Sequence, residues 1–176
     1  MENIEIKARI NNLDVIRDKI KKIKHTYVGL DHQVDTYFNT KNGRLKLRES
    51  SLYGPYLIPY IRKDISGPKS STYQKIPVED AEGVKTLFEQ ILGISKVIEK
   101  KREIYLYENV RIHLDQVKTI GEFIELEAVI KDNSQGEKIV QRTPEGEEEK
   151  VFWLMELFGI KKEDLISTSY ENFKGK

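Results

Sequence analysis

The chain has 176 residues, with 30 Lys and Arg against 29 Asp and Glu, and it contains no Cys. The length favours a single domain, the near-neutral charge argues against a general nucleic-acid binder, and the lack of Cys excludes disulfides and thiolate metal sites. No apolar run approaches the ~20 residues of a membrane span and no secretory leader is evident, so we expect a cytoplasmic protein.

The N-terminal part predicts a strand followed by a helix. Polar and apolar residues alternate over 3–10, which is typical of a half-buried strand. A helix is predicted to begin after Asn11 or Asn12 as N-cap and to continue as far as Tyr27. Its apolar residues recur at steps of three and four: Leu13, Ile16, Ile20, Ile23 and Tyr27.

Two hairpins are predicted next. Strands at 34–39 and 44–49 flank the turn Lys41-Asn42-Gly43. A strand at 57–63 contains Pro59, which suggests an edge position or a bulge. The chain turns at 66–68 and returns as a strand over 71–78.

The second half predicts two more helices around three strands. A helix should begin at the Asp80 cap, bury Val84, Leu87, Phe88, Ile91 and Leu92, and end at Gly93. Strands follow at 97–107, 109–117 and 122–131, then a helix from Pro144 to Gly159 and a short helical segment near 161–166. This order predicts an α+β fold with a largely antiparallel sheet.

The polar faces of these strands separate charges by sign, which is the most informative feature of the sequence. A solvated face usually mixes signs, and like charges in a ladder repel each other unless an ion lies over them. The basic residues on the inferred face are Lys7, Arg9, Arg44, Lys46, Arg48, Arg62, Lys100, Arg102 and Arg111, and the acidic ones are Glu5, Asp115, Glu125 and Glu127.

This separation of charges indicates a negatively charged ligand that binds together with a metal cation. Cations suit a polyphosphate, and carboxylate oxygens suit a hard divalent metal. If the sheet closes into a barrel, the charged face becomes its lumen and the helices cover the apolar outer face. The alternative is that the charges are solvated, as on any one-sided antiparallel sheet.

The ordered motifs resemble the CYTH superfamily, the triphosphate tunnel metalloenzymes, and within it the class IV adenylate cyclase-like branch. The resemblance spans nearly the whole chain as a single CYTH-like domain over 1–176. The motifs are Glu5-Ile6-Lys7, Asp35-Thr36-Tyr37-Phe38, Gly43-Arg44-Leu45-Lys46-Leu47-Arg48, Lys100-x-Arg102, Arg111-Ile112-His113-Leu114-Asp115, Gly121-Glu122-Phe123-Ile124-Glu125-Leu126-Glu127 and Ser169-Tyr170.

The resemblance implies an eight-stranded antiparallel β-barrel, flanked by helices, whose tunnel binds a triphosphate with Mg²⁺ or Mn²⁺. Glu5, Glu125 and Glu127 match metal-ligand positions, and Asp115 matches the acidic position that supports them. Phosphate-contacting positions are matched by Lys7, Arg44, Lys46, Arg48, Arg62, Lys100, Arg102 and Arg111.

One position departs from the family pattern, because Asn3 replaces its first Glu and predicts a weaker metal subsite. Tyr37 and Lys100 are candidates for activating a nucleophile, since neighbouring cations lower the pKa of a Lys. Tyr37 is equally compatible with core packing. His113 beside Asp115 is a candidate general base or a hydrogen-bonding group.

Three functions remain open from the sequence. Members of the family cyclise ATP to cyclic AMP and pyrophosphate, or hydrolyse thiamine triphosphate, tripolyphosphate or nucleoside triphosphates. A non-catalytic module that binds polyphosphate or nucleotide is the third reading, which Asn3 keeps open. The expected partner is a small-molecule triphosphate, with neither membrane nor nucleic acid, and the protein is expected to be a monomer or a homodimer.

Overall fold

The computed structural model describes residues 2–62, 65, 67–131, 144–167 and 170. Its nine strands are β1 (Glu2–Ile10), β2 (Thr26–Phe38), β3 (Arg44–Ser50), β4 (Gly54–Arg62), β5 (Lys69–Tyr73), β6 (Ile76–Pro77), β7 (Ile94–Tyr107), β8 (Val110–Val117) and β9 (Gly121–Lys131). The helices are α1 (Leu13–Ile20), α2 (Ala81–Leu92) and α3 (Pro144–Phe158), and a 3₁₀ turn covers Lys162–Asp164.

Eight of the strands form a closed antiparallel barrel, as predicted. The hydrogen-bonded order is β3-β2-β7-β8-β9-β1-β5-β4, and pairing of β4 with β3 closes the ring. The two-residue strand β6 pairs with β4 beside β5. Pro59 lies opposite the break between β5 and β6, where Gln74 donates its N–H to the Pro59 carbonyl. The interruption of the return strand therefore accommodates the missing N–H of proline.

The main apolar core lies outside the barrel, between its wall and two helices. Ala8, Ile112 and Leu126 from β1, β8 and β9 are fully buried, and they pack in one cluster with Leu13 of α1 and Leu154 of α3. Alternation along each strand sends these residues outward, so the intervening polar residues point into the barrel. No helix in the described part of the chain is long and apolar enough to cross a membrane.

Three predictions about the helices differ from the structure in detail. The first helix ends at Ile20 rather than continuing, and Tyr27 lies in β2, where its ring contacts that of Tyr105 at a tilt. In α2 the bounds were correct, but Leu87 is 53% and Ile91 64% exposed, so they do not face the core. The expected C-terminal helix is a single 3₁₀ turn.

Several sequence features lie outside the described residues. These are Lys63 at the end of a predicted strand, Ser66 in a predicted turn, Thr143 before α3, and Ser169 of the last motif.

Candidate functional site

The barrel interior contains an unusual number of buried charges. Lys100 and Arg102 of β7 are only 3% and 4% exposed, and Asp115 of β8 is fully buried. Burying an unpaired charge is costly, so each must have a partner of opposite sign or a bound ion. These partners fall into three groups around Asp35, Asp115 and the glutamates.

Asp35 of β2 holds three cations. Its fully buried carboxylate accepts from Arg48 through Nε at 2.6 Å and Nη2 at 2.7 Å, and from Lys46 Nζ at 3.0 Å. Lys100 Nζ lies 3.9 Å away. We call these four residues the Asp35 cluster. Register explains it, because Asp35 is directly opposite Arg48 and both point inward.

The Asp35 cluster has more positive than negative charge. Burial alone would raise the pKa of Asp35, but Arg48 and Lys46 hold that pKa well below its ordinary value. Burial and the neighbouring Arg48 lower the pKa of Lys46 to about 8. A single carboxylate thus orients three cations, and the cations retain the capacity to meet further anionic oxygens.

Asp115 of β8 holds the second group, on the other side of β7 from Asp35. Arg102 donates to both Asp115 oxygens at 2.6 Å through Nε and Nη2, and Lys100 Nζ lies 3.4 Å away. The Tyr170 hydroxyl also donates to Asp115, at 2.8 Å. Burial opposes ionisation of Asp115, but Arg102 keeps its pKa below the ordinary value. With both oxygens engaged by cations, this carboxylate orients Arg102 and Lys100.

Three glutamates form the third group, which we call the acidic wall: Glu5 of β1, and Glu125 and Glu127 of β9. Glu5 is directly opposite Glu127, and Lys7 is directly opposite Glu125. Arg102 Nη2 donates to Glu125 at 2.7 Å, and Lys7 Nζ lies 3.8 Å from it. Burial and, next, the nearby Glu125 raise the pKa of Glu5. This upward shift in the pKa of Glu5 persists although Arg62 donates to its carboxylate and the nearby Lys7 also lowers its pKa.

Glu127 collects neutral and charged donors. The Tyr73 hydroxyl donates to Glu127 at 3.1 Å, Arg111 Nη1 is 3.5 Å away, and the Asn3 amide also donates to it. The Asn3 side-chain oxygen is buried and has no hydrogen-bond partner in the structure. Arg62 completes the group by donating to Glu5.

These residues fit a hard divalent cation. In the described part of the chain, no three acidic or histidine side chains converge on one point as a preformed metal cage. The glutamates are nevertheless adjacent oxygen donors, burial and Glu125 raise the pKa of Glu5, and the Asn3 side-chain oxygen has no hydrogen-bond partner among the described residues. Oxygen donors of this kind suit Mg²⁺ or Mn²⁺.

The remaining predicted site residues lie on the same interior face. His113, opposite Glu125, is buried, and burial followed by Arg102 lowers its pKa to about 3, so its ring is neutral at pH 7. Its Nδ1 atom is buried without a hydrogen-bond partner in the structure. Arg44 is opposite Tyr60, with its guanidinium 5.8 Å from the ring centre.

Tyr37 occupies an apolar part of the interior. It packs with Ile98, Val117, Phe123 and Tyr170, and Lys46 Nζ lies 5.3 Å from its ring centre. These contacts support a packing role. A direct part for Tyr37 in catalysis stays a prediction.

Sequence reasoning missed several interior residues. Asp35 belongs to one of the sequence motifs, but no role was predicted for it, although polar residues alternate along β2 at Asp31, Gln33 and Asp35. Tyr73 and Lys69 of β5 were also missed. The alternation of polar residues along β2 could have indicated that Asp35 faces the interior. No local pattern indicated that Tyr73 would contact Glu127 from two strands away.

Comparisons with known proteins agree with this geometry. The sequence matches the CYTH domain over residues 1–170. It is 28% identical over 190 aligned positions to a protein of Methanocaldococcus jannaschii named "putative adenylate cyclase", covering 99% of both chains.

Solved structures share the fold. A protein from Pyrococcus horikoshii OT3 superposes with a TM-score of 0.78 at 24% identity, covering 97% of this chain and 98% of the other. A protein from Hippeastrum, described as a putative adenylyl cyclase with a dominant triphosphatase activity, gives a TM-score of 0.59 at 14% identity, covering 96% and 91%. The family match over nearly the entire sequence and the closed barrel with its charged interior lead to one conclusion: the chain belongs to the CYTH domain family, the metal-dependent triphosphate tunnel enzymes.

Proposed function

We propose that the protein is a divalent-metal-dependent enzyme that binds a triphosphate compound in the barrel and converts ATP to cyclic AMP and pyrophosphate. The observation that carries the proposal is the buried charge arrangement. Three cations share Asp35, while Glu5 and Glu127 face each other on the acidic wall. The M. jannaschii relative, whose name is that of an adenylate cyclase, supports the finer assignment.

The cations bind and align the phosphate chain. Lys46 and Arg48 of β3 and Lys100 and Arg102 of β7 present N–H groups to the same interior, as expected for holding a triphosphate in line. Lys7, Arg62 and Arg111 extend this surface, and Arg44 is its outermost candidate on β3. Arg groups with fixed carboxylate partners lose little side-chain entropy when phosphate binds.

Glu5 and Glu127 would hold Mg²⁺ or Mn²⁺, with Glu125 and the Asn3 oxygen as further donors. When bound, the ion neutralises phosphate charge and makes the leaving pyrophosphate more stable. Cyclisation requires the ribose 3′ oxygen to attack the α-phosphorus while the bond from that phosphorus to the pyrophosphate oxygen breaks. The 3′ hydroxyl must lose its proton, for which neutral His113 is one candidate acceptor; Lys100, whose pKa burial lowers, is the other, but only in its uncharged form, in which it does not act as a phosphate-binding cation.

A triphosphatase is the second candidate. It would use the same cations but would place water at the γ-phosphorus: the water oxygen bonds to that phosphorus while its bond to the β,γ-bridging oxygen breaks, giving inorganic phosphate and the diphosphate leaving group. The Hippeastrum relative, whose described activity is dominantly that of a triphosphatase, favours this reading. A non-catalytic binder is the third, because Asn3 places an amide where the family pattern has a carboxylate.

A product assay distinguishes the three. The purified protein is incubated with ATP, thiamine triphosphate or tripolyphosphate, each with Mg²⁺ or Mn²⁺, and the products are separated by chromatography. We expect cyclic AMP and pyrophosphate from ATP. Phosphate release without cyclic AMP would replace the cyclase by a triphosphatase, and binding without any product would leave only a binding module.

Arg48→Ala is the matched test of the binding surface. Loss of its charge-assisted hydrogen bonds should weaken tripolyphosphate binding by about 1.5–3 kcal/mol in a calorimetric titration. Lys118→Ala, which removes an exposed cation paired with Glu99 on the barrel exterior, is the control and should bind normally. Equal affinity in Arg48→Ala and the unaltered protein would contradict a phosphate site at the Asp35 cluster.

A further inference from the structure

The segment after α3 returns to the barrel and attaches to β1 beside a site residue. Leu165 forms an isolated antiparallel bridge with Ala8, and Ile166 donates its N–H to the Lys7 carbonyl at 2.8 Å. The side chain of Lys7 points the other way, into the interior, where it faces Glu125. The C-terminal segment is therefore fixed to the backbone of the residue that holds one of the predicted phosphate-binding cations.

Lys69 provides a second attachment. This lysine begins β5, is 3% exposed and lies directly opposite Glu5. Its ammonium group donates to the carbonyl oxygens of Ile166 at 3.2 Å, Ser167 at 3.3 Å and Ile65 at 3.4 Å. A lysine with three backbone acceptors in a buried position ties the C-terminal segment to the strand next to β1.

Tyr170 carries this segment into the barrel interior. Its side chain is 2% exposed, and its ring packs edge-to-face on Phe123 with 5.0 Å between ring centres. The Nζ atom of Lys7 lies 3.7 Å from the centre of the Tyr170 ring, and Lys100 Nζ lies 5.1 Å from it. The hydroxyl donates to Asp115 at 2.8 Å.

We propose that Tyr170 is a positioning residue for the triphosphate site and that Lys69 anchors the segment that presents it. The aromatic ring fixes the ammonium groups of Lys7 and Lys100, which stand on different strands, by cation–π attraction. The hydroxyl fixes the carboxylate that orients Arg102 and Lys100. This inference rests on the proposed function, because the groups that Tyr170 positions are the predicted phosphate-binding cations.

Packing alone does not account for these contacts. A phenylalanine or leucine would fill the apolar cluster of Tyr37, Ile98, Val117 and Phe123 equally well. The phenol adds a hydrogen bond to Asp115, and the electron-rich ring face lies against a cation instead of another apolar group. Both extra features are directed at charged groups of the interior: the hydroxyl at Asp115 and the ring face at Lys7.

The test uses Tyr170→Phe, which keeps the ring, and Lys69→Met, which keeps the length of the side chain. Tyr53→Phe is the control, since Tyr53 is 52% exposed in the β3–β4 turn. Tripolyphosphate affinity is measured by isothermal titration, and kcat and KM are measured with the substrate found in the product assay. Thermal unfolding of each variant is followed by circular dichroism.

We expect Tyr170→Phe to weaken tripolyphosphate binding and to raise KM about fivefold, the effect of losing one typical hydrogen bond, with little change in the melting temperature. Lys69→Met should weaken binding at least as much. In the double variant the losses should not add, because Lys69 acts through Tyr170. Tyr53→Phe should match the unaltered protein in every measurement.

The possible outcomes distinguish a failure of the proposed function from a failure of the inference about Tyr170. If the unaltered protein binds no tripolyphosphate, the proposed function is wrong and the inference falls with it. If the unaltered protein binds and both Tyr170→Phe and Lys69→Met bind equally well, Tyr170 only packs and the inference alone is overturned. A lower melting temperature with unchanged affinity and KM in the folded variants would also overturn it.

Discussion

Two walls of the same barrel surround their buried carboxylates in different ways. In the Asp35 cluster, one carboxylate is surrounded by Lys46, Arg48 and Lys100, and its pKa is held well below the ordinary value. On the acidic wall, Glu5 is opposite Glu127, and burial together with Glu125 raises the pKa of Glu5. One wall groups three cations around a single carboxylate, and the other groups three carboxylates, of which Glu5 has a raised pKa although Arg62 donates to it.

The comparison indicates which ions each wall can bind. Strand alternation places both sets inside the barrel, so backbone geometry alone does not distinguish them. The difference lies in how the carboxylates are grouped: Asp35 stands alone among three cations, whereas Glu5, Glu125 and Glu127 are neighbours on two paired strands. The cation-rich wall favours phosphate oxygens, and the acidic wall favours a divalent cation.

The largest effect is expected from removing the acidic wall. Replacing both Glu125 and Glu127 by Gln should abolish metal-dependent turnover, because two anionic oxygen donors are lost. The variant should be less stable, because Lys7, Arg102 and Arg111 lose an anionic partner, but Gln keeps the side-chain length and a carbonyl acceptor, so we expect it to fold. Turnover is measured by product release with Mn²⁺, and folding by circular dichroism.

The exposed pair Glu89→Gln and Glu99→Gln is the control for the change in net charge. This control should retain full activity. Turnover that survived in the Glu125→Gln, Glu127→Gln variant would show that the metal is held elsewhere.

The next largest effect tests the other wall through Asp35→Asn. Removing one partner of a buried ion pair typically costs about 3–5 kcal/mol of unfolding free energy, and here three cations lose their shared anion. Urea denaturation measures the loss. Tripolyphosphate should stabilise Asp35→Asn more than the unaltered protein, because phosphate oxygens replace the missing charge.

Asp31→Asn is the matched control on the same strand. Asp31 is also fully buried, but its carboxylate accepts hydrogen bonds from Gln33, the hydroxyl of Ser50 and the N–H of Leu52. Among the described residues, no cation is paired with it. This variant should be destabilised without extra stabilisation by tripolyphosphate. Equal stabilisation of both variants would mean that phosphate does not bind at the Asp35 cluster.

The barrel and the residue types facing its interior could be predicted from the sequence, because alternation along a strand is a local signal. Arg48 and Glu125 lie inside for this reason. The first helix was extended wrongly to Tyr27, because apolar residues at helical spacing are also compatible with a turn and the start of a strand. Leu87 and Ile91 were placed in the core by the same spacing, although α2 covers little of the wall.

The pairing of the interior charges could not be predicted, because it depends on register between strands far apart in sequence. Asp35 and Arg48 become partners across a hairpin, whereas Tyr73 reaches Glu127 only when β1 pairs with both β5 and β9. Tyr170 approaches Lys7 from the other end of the chain. Periodicity within a strand carries no information on such contacts.

A smaller effect should appear in the pH dependence of phosphate binding through Lys46, which faces Asp35, Arg48 and the ring of Tyr60. Its pKa of about 8 means that it is charged below pH 8 and becomes neutral above it. Phosphate binds the charged form, so affinity should fall above pH 8, by at most about tenfold per pH unit. Calorimetric titrations of tripolyphosphate from pH 6 to 9.5 measure this decline.

Lys46→Arg separates this lysine from other titrating groups, because Arg stays charged throughout the range. Its affinity should decline less above pH 8, and the difference between the two curves is the contribution of Lys46. Stability should change in the opposite direction, since the unfolded chain holds the Lys46 proton more tightly between pH 8 and its ordinary pKa. Parallel curves for the two proteins would exclude Lys46 as the titrating group.

The smallest effect concerns Asn3, which donates to Glu127 on the acidic wall and leaves its own side-chain oxygen without a partner. Asn3→Glu replaces this donor by a carboxylate beside Glu127, so repulsion should destabilise the metal-free protein. A divalent cation relieves that repulsion, and its attraction to one more charge is several kcal/mol before desolvation is subtracted. We expect Mn²⁺ affinity to rise about fivefold in a titration, with Asn42→Glu in the exposed β2–β3 turn as a control of equal charge that leaves affinity unchanged. Equal Mn²⁺ affinity and stoichiometry in Asn3→Glu and the unaltered protein would place Asn3 outside the metal site, and the acidic wall would then bind its cation through the glutamates alone.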